Sequence, residues 1–135
     1  MAGYAIQTAL AEVFTLGVKA GVDPLDLWKA VRQGALGRKR TFDGLADHFL
    51  PADYDPAAFA LRIAHKDVTL ATELARELNV PMRVAMLVHE EMSEALNREG
   101  WGSRDSRVAM LLQEERSGVH IAVPPEKIKE AMRGG

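Results

Sequence analysis

Cysteine is absent from all 135 residues, which excludes a disulfide framework and thiolate chemistry and suits a reducing compartment. We place the chain in the cytoplasm. Charge of one sign is lacking too: 17 Lys and Arg stand against 19 Asp and Glu, a net charge of −2. Nothing in that balance attracts nucleic acid or an anionic membrane broadly, so neither is expected as a partner. The opening MAGYAIQTALAEVF has no basic leader and is interrupted by Gln7, Thr8 and Glu12, so it makes neither a signal peptide nor a membrane span. Strands are nearly missing as well. The single β-like run is Val119 to Val123, too little for a parallel nucleotide-binding sheet, and no internal repeat occurs.

What remains is apolar at 47% and charged at 27%, the balance of a globular chain. A chain of this length folds as one domain and buries roughly two thirds of its unfolded surface. From Ala2 to Ala20 the set Ile6, Ala9, Leu10, Val13 and Phe14 has helical spacing, and further alanine and leucine widen the stripe, which predicts a central, well-buried helix. Gly21 suits a left-handed helix end, Asp23 caps the next helix and Pro24 fits its first turn. That second helix runs from Leu25 to about Gln33. Gly34, Gly37 and Arg38-Lys39-Arg40 mark a loop, Thr41 caps a short helix through His48, and Leu50 to Pro56 is again loop.

A long third helix is expected from about Ala57 to Leu78, burying Ala64, Val68, Ala71, Ala75 and Leu78 with Ile63, Leu70 and Leu74 alongside. Arg62, Lys66, Thr69, Glu73 and Arg76 form its opposite face. The fourth helix, Pro81 to about Glu99, buries Ala85, Val88, Met92, Ala95 and Leu96 and ends at Gly100-Trp101-Gly102. A final core helix begins near Asp105 or Ser106 and reaches Arg116. A polar helical turn follows Pro124-Pro125. The fold class is all-α, a bundle of five to seven helices.

Most chemical motifs fail on spacing. Gly100-x-Gly102 has Asp105 where a dinucleotide loop needs its third glycine, and no strand precedes it. His89-Glu90 has Ser93 where a zinc-protease helix needs its second histidine. His48, His65, His89 and His120 are scattered without partners at i+3 or i+4, so no metal site is expected. No nucleophile elbow is present. Arg38-Lys39-Arg40 reads as solvated loop charge, and the apolar stripe centred on Met92 as core. Lys66 stands apart. Arg62 precedes it by one turn, and like charges at that spacing cost a helix about 0.2 to 0.5 kcal/mol unless something anionic faces them.

Phe59 to Pro81 reads FALRIAHKDVTLATELARELNVP, with Lys66-Asp67 and Leu70-Ala71 in a K-D-x-x-L-A pattern on a helix closed by Asn79-Val80-Pro81. This stretch resembles the signature of the C-terminal domain of the β-hydroxyacid dehydrogenases, the 3-hydroxyisobutyrate dehydrogenase and 6-phosphogluconate dehydrogenase-like family. Ala11-Glu12-Val13-Phe14, Leu16-Gly17 and Ala20-Gly21-Val22-Asp23-Pro24 look like the second half of the family's interdomain helix and the turn after it. Gly100, Gly102 and Asp105 are similar to its G-x-G-x-x-D-x-S segment, with Arg107 in the usual serine place. The resemblance covers residues 1–118, and 119–135 form a tail outside it.

The resemblance implies the 6-phosphogluconate dehydrogenase C-terminal fold and a place in an NAD- or NADP-dependent oxidoreductase acting on a 3-hydroxy acid. Lys66 matches the lysine that contacts the nicotinamide end of the cofactor. Asp67, about 100° further around the helix, is left to position backbone or adjacent helices. The family's Rossmann domain, its catalytic lysine and an asparagine one turn later are all expected upstream of Met1, so no catalytic residue is assigned here and no cofactor is expected on this chain alone. The expected partners are that Rossmann domain and a second copy in a homodimer. The alternative is a freestanding helical dimerisation module without catalysis.

Overall fold

The computed structural model describes residues 2–34, 36–40 and 42–134, without the side chain of Tyr4. Among them are six α-helices and no strand: α1 Ala2–Lys19, α2 Pro24–Gln33, α3 Leu61–Glu77, α4 Arg83–Leu96, α5 Leu111–Ser117 and α6 Pro125–Gly134. Three short 3-10 turns intervene at Asp43–Ala46, Trp101–Ser103 and Ser106–Met110. The all-α expectation holds. Thr41, expected as a cap, lies outside the described residues.

Local signals place the helix ends. Asp23 accepts from the Leu25 and Asp26 amides at 2.9 and 3.1 Å, capping α2 ahead of Pro24. Gly21 (φ 99°), Asn79 (φ 55°) and Gly118 (φ 67°) turn the chain in left-handed conformations after α1, α3 and α5. Helices α3 and α4 are antiparallel neighbours, since His65 meets Ser93, Thr69 meets His89 and Arg76 meets Met86.

The main core gathers Tyr54, Leu61, Ala95, Val108 and Leu112, and Met92, Leu96 and Trp101 pack against it. Sequestering Leu61, Val108 and Leu112 contributes about 1.5 to 3 kcal/mol each. A smaller cluster of Ala75, Val80 and Met82 closes the other end of the α3–α4 pair, with Leu16 reaching in from α1.

Several expectations need correction, and Ile63, Leu70 and Leu74 of α3 and Val88 of α4, expected to be buried, are exposed. Helix α1 is neither central nor well buried, because no described side chain of it is classed as buried and Leu10, Val13 and Val18 are exposed. Only one face of it meets the bundle, while Gly17 lets Leu27 of α2 approach so closely that a Cβ there would lie 2.5 Å from Leu27 Cδ2. The third helix starts at Leu61 rather than Ala57, because a buried carboxylate described below takes the amides of Ala58 and Phe59. The β-like run Val119 to Val123 forms no strand. Its amides bond singly, Val119 to the Glu114 carbonyl, Ile121 to the Glu114 carboxylate and Val123 to the Leu50 carbonyl. The polar turn expected after it is the full helix α6.

Candidate functional site

Asp105 organises the approach to α3. Its carboxylate is wholly buried and accepts from the Ala58 and Phe59 amides at 3.1 and 3.2 Å. Arg107 donates to it through Nε at 2.8 Å, a terminal guanidinium nitrogen at 3.1 Å and its own amide at 3.1 Å. His48 Nε2 lies 3.6 Å away. Burial pushes this carboxyl's pKa upward, yet the Arg107 side chain, the Arg107 amide and the Phe59 amide together hold it below the usual carboxylate value. Backbone bonds complete the joint: Leu61 N–H to Arg104 carbonyl, Ser106 N–H to Phe59 carbonyl and Asp105 N–H to Tyr54 carbonyl, each 2.9 Å. The G-x-G-x-x-D segment is therefore the bracket on which α3 is mounted. Arg107, in the usual serine place, is engaged by that bracket.

The two glycines of the segment differ in role, Gly100 supplying a left-handed turn and Gly102 lying in ordinary packing contact. Gly100 adopts φ 77° after α4, and a Cβ on Gly102 would touch Leu96 at 3.5 Å and Arg62 at 3.9 Å. No dinucleotide loop is formed.

Lys66 lies on the solvent face of α3 one turn after Arg62, with Ile63 and Leu70 partly exposed beside them. The side chains of Lys66 and Arg62 take no hydrogen bond and no ion pair among the described residues. Two cations thus share one helical face with no counter-charge among the described residues. Asp67 differs from expectation, since it too is exposed and engages no neighbouring backbone or helix among the described residues. Two grooves lie elsewhere. One of about 640 Å³ runs along Phe14, Thr15, Val18 and Pro24, and an apolar one of about 240 Å³ separates Ala9 and Val13 from Val68, Ala71 and Val88. Lys66 lines neither.

Three arrangements escape the sequence. Glu12 of α1 accepts from the Val84 and Ala85 amides at 2.6 and 3.0 Å, capping α4, whose own N-cap residue Met82 supplies no side-chain bond. Asp105 as a buried hub has partners 47 positions away, beyond any local pattern. Finally, two of the supposedly ordinary histidines are paired: His65 and His89 stack with ring centroids 4.5 Å apart. The spacing His65-x-x-x-Thr69 and His89-x-x-x-Ser93 was the available signal.

In the basic loop Lys39 pairs with Asp47 at 2.8 Å and both remain exposed, in keeping with solvated charge. Among the described residues no three His, Asp or Glu side chains gather as a metal requires, and no helix is long and apolar enough to cross a membrane.

An all-α bundle carrying a K-D-x-x-L-A helix fits the C-terminal domain of the β-hydroxyacid dehydrogenases. The model of the family described as "NAD-binding of NADP-dependent 3-hydroxyisobutyrate dehydrogenase" matches residues 2–112, and the chain belongs to that family of NAD(P)-binding dehydrogenases. The chain is 27% identical over 114 residues to 2-(hydroxymethyl)glutarate dehydrogenase of Eubacterium barkeri, covering 84% of this chain and 37% of that protein. It is 32% identical over 100 residues to L-threonate dehydrogenase of Cupriavidus necator, covering 74% and 33%. The L-threonate dehydrogenase of Haemophilus influenzae is 33% identical over 95 residues, covering 70% and 31%. The chain spans about a third of the length of these curated relatives.

Proposed function

We propose that this chain is the substrate-side domain of an NAD(P)-dependent dehydrogenase of hydroxy acids, with Lys66 reaching across an interdomain cleft to the nicotinamide end of the cofactor. The observation that carries this reading is the uncompensated pair Arg62 and Lys66 on a helix whose start is clamped by Asp105. Unpaired cations on a rigid element favour an anionic partner, and both a dinucleotide and a carboxylate substrate are anionic. The relatives' names, dehydrogenases of 2-(hydroxymethyl)glutarate and L-threonate, point to the same substrate class. Hydride transfer itself is the cofactor's chemistry, and the general acid/base belongs to the partner Rossmann domain. This chain contributes binding and orientation.

The test joins the chain to the Rossmann domain of its reading frame and follows reduced nicotinamide formation over a panel of 3-hydroxy acids. Lys66→Ala in that protein lowers kcat/KM by about 100-fold, the scale of losing one preorganised electrostatic contact. Unchanged kinetics removes Lys66 from the site. Within the same reading, the apolar side chains exposed on α1 and α2 support a homodimer built on helix packing. Light scattering of this chain at micromolar concentration checks it, and a clean monomer counts against it. Upstream sequence that ends in a stop codon, without a G-x-G-x-x-G strand-turn-helix, would leave the freestanding dimerisation module as the reading.

A further inference from the structure

The stacked His65 and His89 are closed into a ring of hydrogen bonds whose directions can be assigned. Thr69 Oγ1 donates to the His65 carbonyl at 2.8 Å, and because a carbonyl only accepts, the hydroxyl proton is committed there. The 2.8 Å contact between Thr69 Oγ1 and His89 Nε2 therefore has the ring nitrogen as donor. On α4 the same logic applies. Ser93 Oγ donates to the His89 carbonyl at 2.8 Å, so His65 Nε2 donates to Ser93 Oγ, also at 2.8 Å. Both neutral rings carry their proton on Nε2 and leave Nδ1 as a bare lone pair.

We propose that this ring of His65, Ser93, His89 and Thr69 is a proton-sensitive latch, holding the α3–α4 register and the bearing of Lys66 while at most one imidazole is charged and loosening when both are. A proton arriving at either Nδ1 leaves the Nε2 donor in place, so a single charge keeps the ring closed. Two charges would stack face to face and repel. Burial lowers the proton affinity of His65, and His89 lowers it further. Neighbouring charges do not relieve that. On α3, Arg62, Lys66 and Asp67 surround His65 in sequence but are exposed, as is Glu90 beside His89 on α4. Carboxylates on or near the packed elements are engaged elsewhere: Glu91 and Glu94 by Arg116 of α5, Asp105 by Arg107, and Glu12 of α1 by the α4 amides.

Because the folded state binds a proton on His65 less readily than the ordinary value of 6.5, stability is full above that pH and declines as pH falls below it. The latch stands on α3–α4 geometry alone. Only its consequence for Lys66 rests on the function proposed above.

The experiment is a nitrogen-detected NMR titration of the imidazoles in the 135-residue chain. Expected are the Nε2–H tautomer in both rings at alkaline pH and two separate protonation steps, the second about tenfold weaker or more. An Nδ1–H tautomer in either ring, or one merged step, overturns the latch. His89→Gln keeps an N–H donor for Thr69 but cannot charge, and in it His65 should bind its proton more tightly; an unchanged His65 midpoint also overturns the proposal. Should that variant not fold, Ser93→Ala removes the acceptor of His65, whose tautomer should then become mixed, and a pure Nε2–H form would show the ring is not closed there. Failure of Lys66→Ala in the two-domain enzyme leaves these titrations standing, and the reverse holds equally.

Discussion

Val108 and Leu112 are essentially inaccessible to solvent, while Val18, Leu25 and Trp28 are 45%, 56% and 48% exposed in the same chain. The side chains are comparable in apolar character. What separates the two regions is polar anchoring: around Val108 and Leu112 the backbone of the loops is pulled in by Asp105, whereas α1 meets the bundle at α4, where Glu12 is bonded, and α2 packs on α1. The Asp105 end is a finished interior. The α1–α2 end is a surface whose partner lies outside this chain in the reading proposed above. An apolar pattern states that burial is wanted without stating which molecule supplies it.

The sharpest way to break this contrast is Asp105→Ala, which strands Arg107 and the amides of Ala58 and Phe59 and is expected to cost about 3 to 5 kcal/mol in urea unfolding. The pH sign follows from its depressed carboxyl: the contribution is complete above the ordinary value near 3.8 and is lost as pH falls through the lower folded value. Asp105→Asn should flatten that acid limb. Next, Leu112→Ala should cost about 2 to 5 kcal/mol by transfer and cavity terms. Glu12→Ala, at the boundary between the two regions, should cost about 1 to 2 kcal/mol because α4 loses its cap. Smallest is Leu25→Glu, expected to change monomer stability by less than about 0.5 kcal/mol. The same variant should weaken self-association in light scattering, and an unaffected dimer would exclude the α2 face from the contact.

Legibility in the sequence followed the range of the interaction. The Gly21, Asp23 and Pro24 junction and the helix end at Asn79-Val80-Pro81 are local devices, and each was readable from a few adjacent residues, though not the left-handed turn at Asn79. The α3 motif was legible as a family pattern. Asp105 looked like a possible helix start, which it is for the turn beginning at Ser106, but its hold on Ala58 and Phe59 required knowing that two distant loops meet. That same hold moved the start of α3 past the position helical periodicity suggested. Periodicity also could not distinguish α1 from a buried helix, since both carry the same apolar stripe. The histidine pair was missed because ligand-spacing rules look along one helix, whereas these rings meet across two.

The carboxylate of Glu12 bonds amides 72 and 73 positions further along the chain. Whether the opening turn of α4 is shielded from solvent therefore depends on α1 being docked, so hydrogen exchange at Val84 and Ala85 reports the departure of a helix rather than local fraying. Those two amides are a native gauge of how firmly α1 rests against this domain, and their protection should rise when any partner clamps α1 from its outer side.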